Sequence, residues 1–464
     1  MSLKNQRIHF IAIGGSAMHQ LAIALKENGN QVSGSDDEIF EPSRSRLAEA
    51  DLLPEKQGWF PEKIHENLDL VVLGMHARAD NPELLRAQQL GLRCLSYPEL
   101  IFEHSRNKQR IVIAGSHGKT TTTAMIMHVL QFAEKSFDYL VGAPVKGFSR
   151  NVRLSEDAPI IIVEGDEYPC SPEDNRPKFL AYNHHIALVT GIAWDHANVF
   201  PTEHSYVRQF DRLADASPKA GTLIVNEEDA LASVICKKER EDVTVLEYGT
   251  PRHEVRNGTT YWITPEGNEI PLRIFGAHNL SNANGAKSLL GRLGIHQDVF
   301  FSAIRSFEGA SGRLEKIGEA EGITIFRDFA HAPSKVAATV SAVKNQFPER
   351  KLVAVLELHT FSSLSKNFIG NYSGSMNEAD EALVYFNPKV LIHKRLEELS
   401  EKDVISAFTR EDLEVFTKSA DLFARLKMKS FPNHVLLLMS SGNFDGISIS
   451  ELAEQLCNHS GKSV

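Results

Sequence analysis

Ile111-Val112-Ile113-Ala114-Gly115-Ser116-His117-Gly118-Lys119-Thr120-Thr121 is the stretch that decides the fold. Its apolar, β-branched opening reads as a strand covered on both faces, hence one strand of a parallel sheet. Gly115 and Gly118 let the backbone reverse and approach an anion, and the helix that follows offers its free N-terminal amides. Lys119 can reach terminal phosphates, and the Thr120 hydroxyl is placed to ligate Mg²⁺. The full Walker pattern has a glycine five residues before the Gly-Lys pair, where this chain has Ile113. The motif is therefore the shortened Gly-x-x-Gly-Lys-Thr, and it implies a nucleoside triphosphate site.

Further apolar runs at 160–163, 186–190 and 222–225 extend the same pattern into a mostly parallel sheet with helices on both faces. In such sheets ligands collect beyond the carboxyl ends of the strands. Glu164, Asp166 and Glu167 follow one strand, Asp195 and His196 the next, and Asn226 the third. Carboxylates beside a phosphate loop suit Mg²⁺, which prefers oxygen ligands. This central unit is expected over residues 106–308.

Before it, Ile8-His9-Phe10-Ile11-Ala12-Ile13 reads as a strand, Gly14-Gly15-Ser16 as its turn, and Ala17 to Gly29 as a helix ended by glycine. A strand around Gln31 to Asp36 completes a Rossmann-like βαβ unit, with Asp36 at the place of a ribose-binding carboxylate. The third glycine of that fingerprint is missing. This first domain is expected over residues 1–105. After it and the central unit, Glu308 to Arg313 forms a glycine-rich hinge into a third, Rossmann-like α/β domain over 309–464, with strands at 323–327, 352–356, 382–386 and 435–440 and helices at 334–346 and 417–429. The tail from Asn458 reads as disordered.

Length and composition agree with a three-domain α/β enzyme. The chain has 464 residues, 42% of them hydrophobic and 24% charged, too many residues for one core. A net charge of -10 argues against nucleic acid as a partner. No apolar run reaches the roughly 20 residues that span a bilayer, and no signal peptide precedes the first strand. Four cysteines without metal or redox spacing suit a reducing compartment, so a cytoplasmic location is expected, with no membrane partner.

Read together, the motifs resemble the Mur ligase family of peptidoglycan synthesis. The phosphate loop is Gly115-Ser116-His117-Gly118-Lys119-Thr120-Thr121, the acidic motif Glu164-Gly165-Asp166-Glu167, and the aspartate-histidine pair Asp195-His196. The adenine motif is His278-Asn279-Leu280-Ser281-Asn282, the linker arginine Arg313, and the C-terminal motif Asp328-Phe329-Ala330-His331-Ala332-Pro333. The resemblance implies ATP and Mg²⁺ as cofactors. It assigns ATP to Gly115 through Thr121 and to His278, Asn279, Asn282, Arg313, Asp328 and His331. The metal falls to Thr120, Glu164 and His196, catalysis to Lys119, His196 and Arg313, and a UDP-sugar to Gly14, Gly15, Ser35, Asp36 and His76.

The implied reaction is amide synthesis on UDP-N-acetylmuramate through an acyl phosphate. No lysine after Asp195-His196 matches the carbamylated lysine of several members, which points to the branch acting on UDP-N-acetylmuramate directly. Within it, Glu164 to Cys170 with Arg176-Pro177-Lys178-Phe179, and Met439 to Gly446, are more similar to ligases of the tripeptide L-alanyl-γ-D-glutamyl-meso-diaminopimelate. An L-alanine ligase is the alternative. An arginine expected near Leu358-His359-Thr360 for the tripeptide is absent, and Ala332 replaces a second histidine. A folylpolyglutamate synthetase is disfavoured by the Gly14-Gly15 unit, and a nicotinamide dehydrogenase would leave Lys119 and Thr120 without a task.

Overall fold

Apolar runs become the inner strands of three parallel sheets. The structure, a computed structural model, describes residues 4–460 apart from 76, 172, 198, 239 and 430. The first sheet holds β1 (Arg7–Ile11), β2 (Gln31–Ser35), β3 (Leu70–Leu73) and β4 (Cys94–Ser96) in the order β2-β1-β3-β4, all parallel. The helix after β1 runs from Ser16 to Glu27, and Gly29 at φ +86° turns the chain away.

The central sheet contains β5 (Gln109–Ala114), β6 (Asp138–Leu140), β7 (Val152–Arg153), β8 (Ile160–Glu164), β9 (Ile186–Val189), β10 (Thr222–Asn226) and β11 (Thr244–Tyr248). Their order is β11-β10-β9-β5-β8-β6-β7, parallel except for β7. Side chains of a strand alternate between faces. Accordingly, Val112 and Ala114 enter one buried cluster while Ile111 and Ile113 enter another. The first of these clusters also contains Ile8 and Phe10, so the first two domains share a continuous core. β5 lies between β8 and β9, where the chain switches direction across the sheet; the crevice that collects ligands opens at such a point.

An antiparallel ribbon then follows, β12 (His253–Arg256), β13 (Thr259–Ile263) and β14 (Glu269–Leu272). Sequence periodicity at the level of whole domains does not reveal it. A local signal does, because Asn257 and Gly258, both at positive φ, are the pair that two-residue hairpins favour. The ribbon grips the third domain: Thr260 Oγ1 donates to Gln346 Oε1 at 2.8 Å, and Gln346 Nε2 to the Gly258 carbonyl at 2.6 Å.

The third sheet has the order β15-β16-β20-β17-β18-β19, from β15 (Glu315–Ala320), β16 (Ile323–Asp328), β17 (Lys351–Leu358), β18 (Glu381–Phe386), β19 (Glu414–Phe416) and β20 (His434–Met439). Only β15 is antiparallel. The expected disordered tail is corrected here, since a helix carries Asn458 and continues to Ser460; residues 461–464 lie outside the described ones. Among the described residues no helix is long and apolar enough to cross a membrane.

Leu437 lies in β20, between β16 and β17, and is 0% exposed. Leu437→Ala should cost about 2–5 kcal/mol of stability by urea denaturation. A loss below about 1 kcal/mol would mean that this sheet is not the packed core described here.

Candidate active site

Gly115 follows β5 with φ +131°, and a Cβ there would lie 2.1 Å from Thr190 Oγ1. Thr190 Oγ1 donates to the carbonyls of Ala114 and His117, which folds the loop back onto the end of β9. The loop is pinned again through Ser116, whose amide donates to the Gly191 carbonyl at 2.9 Å and whose Oγ accepts from Ala193 N and Tyr206 Oη, both at 2.8 Å. Gly118, at φ +79°, leaves no room for a side chain against Asn282 Oδ1 and opens the helix Lys119–Phe132. The amides of that first turn therefore face the crevice.

Lys119 Nζ donates to Glu167 Oε2 at 3.1 Å. Burial alone would lower its pKa, but the carboxylates of Glu167, Asp166 and Glu164 outweigh burial and hold it above the ordinary lysine value. The same pairing keeps Glu167, whose side chain is fully buried, well below the usual carboxylate range against the opposing effect of burial; His196 adds to it. Thr120 Oγ1 donates to Glu164 Oε1 at 2.8 Å, and Gly142 N to Glu164 Oε2 at 2.7 Å. His196 stands at φ +58°, its Nδ1 2.8 Å from Tyr168 Oη and its Nε2 3.3 Å from Glu167 Oε1.

The third domain closes over this loop. Ser334 Oγ is 2.6 Å from His117 Nε2. Arg313, just past Gly312 at φ +67°, lays its guanidinium 4.3 Å above the Phe329 ring. Asp328 Oδ2 accepts from Thr339 Oγ1 at 2.7 Å. His331 Nδ1 donates to the Phe329 carbonyl at 2.8 Å, and its Nε2 lies 3.7 Å from Asp195 Oδ2. Burial holds the His331 pKa below the ordinary value, so the ring is neutral near neutral pH. Lys335 Nζ is 3.9 Å from the same carboxylate oxygen.

A cavity of about 730 Å³ joins these groups. Ser116, His117, Gly118, Lys119, Thr120, Thr121, Glu164, His196, His278, Asn279, Asn282, Arg313, Asp328 and His331 all line it, with Gly15 from the first domain. Gly115 shapes the loop from behind. Gly14, Ser35 and Asp36 are not in its wall: Asp36 Oδ2 accepts from Gly14 N at 2.7 Å, and Ser35 is buried beside Lys63. His76 lies outside the described residues. Sequence reasoning missed Lys335 and Ser334. A signal existed, since a lysine in the first turn of a helix opposes the macrodipole and needs another reason to be there.

Three family models match consecutive parts of the chain: "Mur ligase family, catalytic domain" at residues 7–109, "Mur ligase middle domain" at 113–290, and "Mur ligase, glutamate ligase domain" at 312–442. A UDP-N-acetylmuramate–L-alanine ligase of Arthrobacter sp. is 31% identical over 390 residues, 82% of this chain and 80% of that protein. The chain belongs to the Mur ligase family. It is accordingly an ATP-dependent ligase that forms amide bonds. The UDP-N-acetylmuramate–L-alanyl-γ-D-glutamyl-meso-2,6-diaminoheptandioate ligase of Escherichia coli is 27% identical over 450 residues, covering 95% of this chain and 96% of that one. In fold it matches a UDP-N-acetylmuramate-alanine ligase of Thermotoga maritima (TM-score 0.71, 20% identity, 99% of this chain and 100% of that one). It likewise matches a murein peptide ligase of Psychrobacter arcticus (TM-score 0.64, 22% identity, 99% of both chains).

The Asp36 contact gives a pH test. Burial, opposed by the Gly14 amide and reinforced by Asp37, raises the Asp36 pKa from 3.8 to about 6. A folded pKa above the unfolded one gives stability that is present at low pH and lost as pH rises through about 6. Asp36→Asn can keep the Gly14 bond without titrating. Wild-type stability relative to this variant should fall by about 1–3 kcal/mol between about pH 4 and pH 6.5, then level off. A flat or rising difference in pH-dependent denaturation would remove the assignment.

Proposed function

We propose that this protein joins UDP-N-acetylmuramate to an amino-acid acceptor at the expense of ATP, with L-alanine as the first candidate acceptor. The observation that carries the reading is one continuous cavity, whose wall runs from the Gly15 turn across the phosphate loop to Arg313 and Asp328. A nucleotide-sugar and a triphosphate entering it from two domains would meet under the third. Relatives named for L-alanine, at 31% and 32% identity, favour that acceptor over the tripeptide to which the sequence motifs are more similar. One observation keeps the tripeptide as a second reading: the Escherichia coli relative aligns over 95% of the chain, the L-alanine relatives over 81–82%. We propose a cytoplasmic location, with which four free cysteines agree.

A carboxylate is a poor acyl donor, so its lactyl oxygen attacks the γ-phosphorus while the bond to ADP breaks. The amine then attacks the acyl carbon, and inorganic phosphate leaves with the acyl oxygen. Lys119 and Arg313 stabilise the charge that spreads over the transferring phosphoryl group. Thr120 and Glu164 set two oxygen donors side by side, which fits Mg²⁺ completed by phosphate and water. Bound there, Mg²⁺ would supply charge neutralisation on the triphosphate. His196, its Nε2 turned to Glu167, is the proposed holder of a second ion.

ADP release from ATP and UDP-N-acetylmuramate tests the reading. L-Alanine should stimulate it; stimulation by L-alanyl-γ-D-glutamyl-meso-diaminopimelate alone would establish the second reading, and silence with both would refute the acceptor class. Lys119→Ala should lower turnover by about a thousandfold while UDP-N-acetylmuramate still binds by calorimetry. Equal loss of sugar-nucleotide binding would contradict the division of labour between domains.

A further inference from the structure

Lys335 is a charged group in the cavity that the reaction just described leaves without a task. It sits in the first turn of the helix Pro333–Gln346, where free amides already create positive potential, so helix stability does not account for it. Its side chain is mostly buried, 22% exposed. Among the described residues its ammonium makes no hydrogen bond, and its ion-pair partner, Asp195 Oδ2, is distant at 3.9 Å. Among the described residues that buried oxygen has no hydrogen-bond partner, and His331 Nε2 stands 3.7 Å from it. A structural salt bridge would close this gap; here both groups stand off from each other at the cavity wall. Burial lowers the Lys335 pKa to about 8, opposed by the Asp195 carboxylate and reinforced by repulsion from Lys119 and Arg313. Three cations thus converge from two domains on one space, in a chain whose net charge is -10. The position is also fixed: Ser334, the neighbouring residue, bonds His117 within the phosphate loop.

We propose that Lys335 is a further catalytic residue, one that binds the γ-phosphoryl group of the triphosphate from the third domain while Asp195 orients its ammonium. The inference rests on the reading of the cavity as the ATP site. Lys119 then grips the phosphates from the loop side and Lys335 from the opposite side. The docked position of the third domain is favoured by ATP and not by ADP, because ADP lacks the group that Lys335 meets. The carboxylate of Asp195 takes no part in the chemistry; it keeps the ammonium charged and aimed when no phosphate is present.

The test is calorimetric binding of β,γ-imido-ATP and of ADP, each with Mg²⁺, to the full-length wild type, Lys335→Gln and Lys335→Arg. Thermal denaturation of each variant checks the fold. Lys335→Gln should lose about tenfold to a hundredfold in affinity for the triphosphate and less than about twofold for ADP. Lys335→Arg should recover most of the difference. In turnover, Lys335→Gln should lower kcat with the KM for UDP-N-acetylmuramate unchanged. Lys335→Met serves the same comparison where the glutamine variant fails to fold. An unchanged preference for triphosphate, or an equal loss for both nucleotides, overturns the role of Lys335 alone. Failure of the wild type to bind either nucleotide overturns the ATP-site reading and this inference with it.

Discussion

Thr190 and Gly115 approach so closely that no side chain fits between them, and the geometry of the whole cavity depends on that contact. The threonine hydroxyl reaches two carbonyls of the loop, one before Gly115 and one after it, so the reversal is held at both ends. From that reversal the direction of the Lys119–Phe132 helix follows, and with it the crevice-facing amides, Lys119 and Thr120. The carboxylates that hold Lys119 and Thr120, Glu167 and Glu164, come from the end of β8 and just beyond it, beside β5 in the sheet. The phosphate loop is therefore a joint product of three neighbouring strands, and its chemistry is inseparable from their order.

The third domain adds charge to a site that is already paired. Lys119 is balanced by Glu167, whereas Arg313 rests on an aromatic face and Lys335 on a distant carboxylate. Two cations left with weak partners on the third-domain side of the cavity make that side receptive to an anion between the domains. Other contacts across this boundary are neutral, among them Ala197 N to Ser362 Oγ at 3.1 Å, the Trp194 and Phe368 rings 5.5 Å apart, the Phe275 and Phe326 rings 5.4 Å apart, and the ribbon holding Gln346. Hydrogen bonds of this kind contribute about 1 kcal/mol each.

Much of the architecture was legible because parallel strands buried on two faces read as uninterrupted apolar runs, as at Ile111 to Ala114. The glycine positions of the loop were legible for a steric reason that the Cβ distances now show. Less was legible in the contacts between loops. Asp36 stands at the spacing of a ribose-binding carboxylate, and only the structure shows that one of its oxygens accepts from the Gly14 amide. The antiparallel ribbon escaped because its alternation spans only a few residues per strand, although Asn257-Gly258 announced its turn. Lys335 escaped because sequence alone does not say which helix start will meet which loop, and its meaning arises from the 2.6 Å contact beside it.

The proposed reaction turns on phosphorylation of the sugar-nucleotide carboxylate before it is joined to the amine. It is tested most directly by labelling the lactyl carboxylate of UDP-N-acetylmuramate with ¹⁸O and analysing the inorganic phosphate released in the complete reaction. One labelled oxygen in the phosphate is expected for each amide formed. Amide formation with unlabelled phosphate would contradict it, since the acyl oxygen would then have left by another route.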